Sequence, residues 1–125
     1  MAGKTNAHSD TVLALVATGH YVGLFSTLPT DTTSGTELTG DGYARKAFTG
    51  TSPADYAPTG RYIANNAALT FGPASDEWLP VVGFGVFSAS TGGAPKYWGT
   101  LSSITIVTDA ELVLPINTGI ILRED

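Results

Sequence analysis

The residues whose chemistry suggests itself first lie near the N-terminus: His8, Ser9, Asp10 and His20. On paper Ser9, His20 and Asp10 supply a nucleophile, a base and an orienting carboxylate. No Gly-x-Ser-x-Gly elbow surrounds Ser9, and that pattern encodes the sharp turn that exposes such a nucleophile. A polar terminus and a helix cap account for the same residues. Asp31, Glu37 and Asp41 crowd one stretch and offer the oxygen ligands that a hard cation takes. Their spacing is not that of an EF-hand loop, and an exposed acidic loop explains them equally. Asp76-Glu77 offers one carboxylate of a glycosidase pair, but hydrolysis needs a second across a cleft and none can be assigned. Gly83-Phe84-Gly85 lacks the third glycine of a dinucleotide fingerprint and lies inside a strand-like run. The chain has no cysteine, which removes thiol catalysis, a disulfide framework and Cys-based zinc sites. The inventory predicts no enzyme, no catalytic residue, no cofactor and no metal.

Charge narrows the partners. Six Lys and Arg against eleven Asp and Glu give a net charge of −5 over 125 residues. Only Arg45-Lys46 are adjacent cations, so no basic face exists to displace counterions from nucleic acid or to hold anionic lipid. No apolar run approaches the ~18 residues of a transmembrane helix. Binding to nucleic acid or membrane is therefore not expected. The run Val12–Ala17 follows a single Lys4 and abuts Ser9-Asp10, so it reads as a short helix rather than a signal peptide. Charged residues make up 14% of the chain, against roughly 25% in ordinary soluble domains. So few charges suggest that a partner covers part of the surface.

The aromatics are the better candidates for contact. Tyr43, Tyr56 and Tyr62 lie in or beside long loops, and Trp78 follows a charged turn. Aromatic and arginine anchors are where binding energy concentrates. Tyr43, Arg45, Tyr56, Tyr62 and Trp78 therefore form the candidate partner interface, while Trp98 is expected in the core.

The elements that must position them follow from periodicity. Ser9 or Asp10 can cap a helix over about Thr11–Thr18, with Val12, Leu15 and Val16 on its apolar face and Gly19 as its stop. His20–Phe25 is nearly continuously apolar, as a strand covered on both sides would be. Leu28–Gly42 and Gly50–Gly60 read as long loops flanking a strand at Tyr43–Thr49. Strands are also expected near Arg61–Ile63, Ala67–Phe71, Trp78–Phe87, Lys96–Leu101, Ile104–Val107, Glu111–Ile116 and Ile120–Leu122. Thr91-Gly92-Gly93 reads as the turn of a hairpin. Alternate glycines at 83 and 85 mark close backbone approach. With 15 Gly and 18 Thr, the expectation is an all-β fold with one short N-terminal helix. It would be an antiparallel two-sheet sandwich or jelly-roll-like barrel of about eight strands. Residues 1–19 would form an arm and helix, and 20–125 a single β-sandwich domain.

Several blocks carry a resemblance. They are Tyr21-Val22-Gly23-Leu24-Phe25, Pro29-Thr30-Asp31, Gly35-Thr36-Glu37-Leu38 and Gly40-Asp41-Gly42-Tyr43-Ala44-Arg45. Asn65-Asn66-Ala67-Ala68-Leu69-Thr70-Phe71 with Trp78, then Phe84-Gly85-Val86-Phe87, Thr91-Gly92-Gly93 and Tyr97-Trp98-Gly99 continue it. In this order, over about residues 20–122, the chain resembles a family of small tailed-bacteriophage virion proteins. Such proteins are often labelled tail-fibre proteins, and their size and all-β character look equally like capsid decoration (cement) proteins. The resemblance implies a non-enzymatic structural protein of the virion, assembled in the bacterial host cytoplasm, with no catalytic residues to carry over. The leading expectation is a decoration protein whose partners are the major capsid protein and copies of itself. The alternative is a tail or tail-fibre component that contacts other tail proteins or a host receptor.

Overall fold

Strand β1 (His20–Thr27) owes its place to its composition: Val22 to Phe25 are buried without interruption, which requires cover on both faces. The computed structural model describes residues 4–55 and 60–124. Along one edge β1 pairs antiparallel with β7 (Val81–Phe87), from Tyr21 opposite Phe87 to Phe25 opposite Gly83. Two short strands share its other edge. β2 (Thr36–Glu37) pairs with Phe25–Thr27, and β3 (Lys46–Phe48) pairs with His20–Val22. β8 (Tyr97–Ile104) returns beside β7 through a turn in which Gly92 and Gly93 take φ +72 and +75. Left-handed backbone of this kind favours glycine, so the predicted hairpin is present.

Two smaller sheets complete the architecture. β10 (Ile121–Glu124), β5 (Arg61–Ala64) and β4 (Ala54–Asp55) form one; β6 (Leu69–Phe71) and β9 (Leu112–Leu114) form the other. The fold is thus a mostly antiparallel β fold with one N-terminal helix. The described residues hold ten strands in three sheets, where about eight in two were expected, and no sheet closes into a barrel. The additional strands, β2 and β4, are two residues long, too short for any period to show. Conversely, the separate strand expected at Ile104–Val107 does not form: Ile104 ends β8.

One core joins all three sheets to the helix, with Leu24, Phe48, Ile63, Phe71, Val86 and Ile120 at its centre. Helix α1 spans Asn6–Val16 rather than Thr11–Thr18. Its cap is Thr5, whose hydroxyl accepts the His8 N–H at 3.2 Å, not Ser9 or Asp10. Ser9 is instead buried one turn in, and the buried stripe is Ser9, Leu13 and Val16. Leu15, expected inside, is 69% exposed. Ser9, Leu13 and Val16, at i, i+4 and i+7, share the buried side, and Leu15 falls away from that stripe.

The far face of the β1–β7–β8 sheet has its own small cluster. The Phe25 and Phe87 rings lie 5.9 Å apart. A Cβ on Gly85 would stand 2.5 Å from Phe25 Cε2, and one on Gly83 would meet the Gly99 carbonyl at 2.5 Å and the Leu28 side chain. The alternate glycines leave room on this face for the Phe25 and Leu28 side chains. Trp98 is on this face, opposite Gly85, and is 42% exposed. It is not the core residue the sequence suggested; its neighbours Tyr97 and Leu101 pack against the core instead.

Candidate functional site

Because β2 and β3 cover only the two ends of β1, a gap opens beside Gly23 and Leu24. A buried backbone N–H or C=O left there would cost free energy. Two groups from the 28–45 loop fill it. The Leu38 N–H donates to the Leu24 carbonyl at 3.0 Å, and the Leu24 N–H donates to the Tyr43 hydroxyl at 2.9 Å. The Tyr43 O–H in turn donates to Glu37 Oε2 at 2.5 Å. Arg45 forks onto the same carboxylate, Nε to Oε2 at 2.8 Å and Nη2 to Oε1 at 2.7 Å. Its remaining nitrogen, Nη1, donates to the Ala89 and Gly92 carbonyls, each at 2.8 Å. One guanidinium thereby ties the 28–45 loop to the β7–β8 turn.

The joint is nearly dry. The Arg45 side chain is 5% exposed and that of Glu37 22%. Burial, and then the bond to Glu37, push the Tyr43 phenol far above the ordinary tyrosine range, with the Leu24 N–H acting the other way. The fork onto Glu37 raises the Arg45 guanidinium against the opposing effect of burial. Gly23 makes the joint possible: a Cβ there would lie 2.6 Å from Glu37 Oε2 and 2.9 Å from both the Tyr43 hydroxyl and Phe87 Cε1. Aromatic packing continues inward. Tyr43 stacks on Phe71 at 6.5 Å and meets the edge of Trp78 at 5.8 Å. The Trp78 indole N–H donates to the Asp41 carbonyl at 2.9 Å.

Over this joint the loop forms a strap with a cleft on each side. One cleft, about 430 Å³, is bordered by Ser26, Thr36, Glu77, Leu79 and Pro80. The other, about 490 Å³, is bordered by Thr39, Ala44, Ser90, Thr91 and Gly92. Apolar surface makes up the larger part of both, with Trp78 lining the first and Tyr43 and Arg45 lining the second.

Three of the five candidate interface residues, Tyr43, Arg45 and Trp78, therefore come together, but beneath the strap. Trp78 is only 3% exposed. Tyr62 stands apart on β5, opposite Arg123 and Ala54. Tyr56 lies outside the described residues. The spacing of Tyr43 and Arg45, two apart on an extended chain, put both on one side; Glu37, the hub they share, had shown only as a member of an acidic loop.

Two further ties were not foreseen. Arg61 binds Asp10 of α1 through Nε at 2.7 Å and Asp55 of β4 through Nη1 at 2.7 Å. Asn65, 1% exposed, donates to the Ala67 and Pro115 carbonyls at 3.0 and 2.8 Å and accepts the Ile120 N–H at 3.0 Å. The adjacent asparagines in the sequence were the available signal, since this side chain can both donate and accept.

The suspected chemistry does not assemble. Asp10 is held by Arg61, and His20 Nδ1 donates to the Thr18 carbonyl at 2.8 Å, so neither is positioned for a triad role. Glu37 is engaged by Tyr43 and Arg45, and among the described residues no three His, Cys, Asp or Glu side chains group to hold a metal ion. No helix among those residues is long and apolar enough to cross a membrane. Residues 6–121 match the family described as podophage GP4 fiber I protein gp80.

The chain belongs to this fiber I family.

No curated protein and no solved structure matches it. As a fiber I family member it is a non-enzymatic structural protein of a phage virion. The blocks that carried the resemblance meet in space: Gly23, Glu37, Tyr43 and Arg45 come from three of them and build the one joint.

Proposed function

We propose that this fiber I family protein is a component of a podophage tail fibre, not a capsid decoration protein. The carrying observation is the family match over residues 6–121, whose description names a fibre protein. It favours the tail alternative over the decoration role that the sequence had put first. On the five-stranded sheet the strap and the β7–β8 turn are presented together by Arg45. In this reading the contact surface is the strap with its two clefts, turned toward another tail protein or a host receptor. Tyr43, Arg45 and Trp78 act from below by holding that surface in one shape, and pre-organised loops lose less entropy on binding. The low charge content suits a piece covered by neighbours in the assembled tail.

Two measurements on purified virions test this. The ratio of this protein to the major capsid protein is expected to be small and proportional to the tail. An antibody against the chain is expected to label the tail. Copy numbers near those of the capsid protein, with label over the head, would restore the decoration role.

A further inference from the structure

β8 ends the strand path β2-β1-β7-β8, and among the described residues its outer edge pairs with no other strand. Open edges present a row of N–H and C=O groups that template pairing with another strand. Natural proteins guard them with charges, prolines, bulges or covering loops. From Tyr97 to Val107 the chain carries no charge and no proline; Lys96 is the one charged residue between Glu77 and Asp109. A bulge is present, since Gly83 faces Thr100 while Val81 faces Ile104. It falls after Thr100 and leaves Tyr97–Thr100 in regular register.

We propose that this edge is a self-association surface, on which β8 of a second copy pairs antiparallel about a two-fold axis at Gly99. Three observations favour a second copy as the occupant. A chain of net charge −5 repels its own copies, and this hairpin is the long stretch where that repulsion is least. A two-fold at Gly99 places Trp98 opposite Thr100 on one face and Tyr97 opposite Leu101 on the other. Aromatic–β-branched and aromatic–aliphatic partners of this kind support cross-strand pairing, and the half-exposed Trp98 ring is covered. Lys96 falls opposite Ser102, so no charge meets its like. An isologous contact of this type also closes and does not propagate into a filament. The inference does not depend on whether the protein sits in a fibre or on the head.

The chain's lack of cysteine makes the register testable. Full-length W98C and T100C chains, mixed under mild oxidation, are expected to form a disulfide-linked dimer far faster than either alone. Sedimentation of the unmodified chain is expected to show a dimer, and W98E/T100E a monomer with native circular dichroism. V113E, at an exposed position on β9, is expected to remain dimeric. A chain that stays monomeric at every concentration overturns the proposal. So does an oligomer that links in another register, or one that V113E disrupts as readily as W98E/T100E. Should W98E/T100E fail to fold, the cysteine register alone decides.

Discussion

The guanidinium carbon of Arg45 lies 3.5 Å from the centre of the Phe87 ring, while the edge of the same group forks onto Glu37. Ring and carboxylate thus use the face and the edge of one planar cation. Lysine offers a point charge and cannot reproduce both contacts. Removing one partner of a largely buried ion pair costs about 3–5 kcal/mol. Urea unfolding of Arg45→Ala is expected to show a loss at the lower end of that range, because Glu37 retains some water. Arg45→Lys is expected to recover less than half of it.

Gly83, Gly85 and Gly92 separate two kinds of glycine requirement. At Gly83 a Cβ meets the Gly99 carbonyl of the paired strand, and at Gly85 it meets the Phe25 ring. Gly92 has open space but φ +72. Overpacking costs roughly 1–3 kcal/mol, and backbone cannot yield as a ring can. Gly83→Ala is expected to destabilise most and Gly85→Ala less. Gly92→Ala is expected to lose about 1 kcal/mol from left-handed strain alone. Thermal midpoints of the three variants give the order directly.

Asn65 holds two carbonyls and one N–H that no strand satisfies. Truncation to alanine leaves the buried Ile120 N–H without an acceptor and takes one donor from the Ala67 and Pro115 carbonyls, for about 1–3 kcal/mol. Asn65→Asp keeps the shape but turns an acceptor toward the Ala67 and Pro115 carbonyls. It is expected to be worse than alanine at neutral pH and to recover as the pH falls. Denaturant midpoints measured at both pH values distinguish the cases.

Tyr97 and Glu124 predict how stability changes at the two pH extremes. Burial, and then its bond to Glu124 at 2.8 Å, raise the Tyr97 phenol above its ordinary value. The unfolded chain ionises this group from about pH 10, so its contribution is whole below that pH and is lost above it. Tyr97→Phe is expected to flatten the alkaline fall in thermal midpoint. For Glu124, burial favours the neutral acid, but bonds from Lys4 and Tyr97, with the Lys4 and His8 charges, outweigh it and lower the value. That contribution is present above the ordinary 4.5 and is lost as pH falls through the lower folded value. Since Lys4 is partly exposed, Lys4→Ala is expected to cost under about 1 kcal/mol near neutral pH.

Much of the architecture was legible from local pattern. The unbroken run at 22–25 announced a central strand, and Gly92-Gly93 announced the hairpin. The alternate glycines announced close approach. Errors arose where a local pattern had two phases or none. The helix spans Asn6–Val16 with Thr5 as its cap, and it buries Leu13 where Leu15 was expected. Trp98 sits one residue out of phase with the core-facing Tyr97, and strand alternation sends such neighbours to opposite faces. β2 and β4 exist only because a neighbouring strand receives them.

The candidate site divides along the same line. Residue types and spacing alone pointed to a mostly antiparallel β protein with one N-terminal helix, because periodicity, turn propensity and composition are local properties. They also singled out Tyr43, Arg45 and Trp78. Which way these residues act was decided by tertiary structure. The interruption between β2 and β3 leaves Leu24 with unpaired backbone groups, and Tyr43 and Leu38 must satisfy them. That demand draws Glu37 and Arg45 inward and places expected contact residues beneath the strap. A buried hydrogen-bonding deficit belongs to the packed sheet, and no stretch of sequence displays it before the strands are paired.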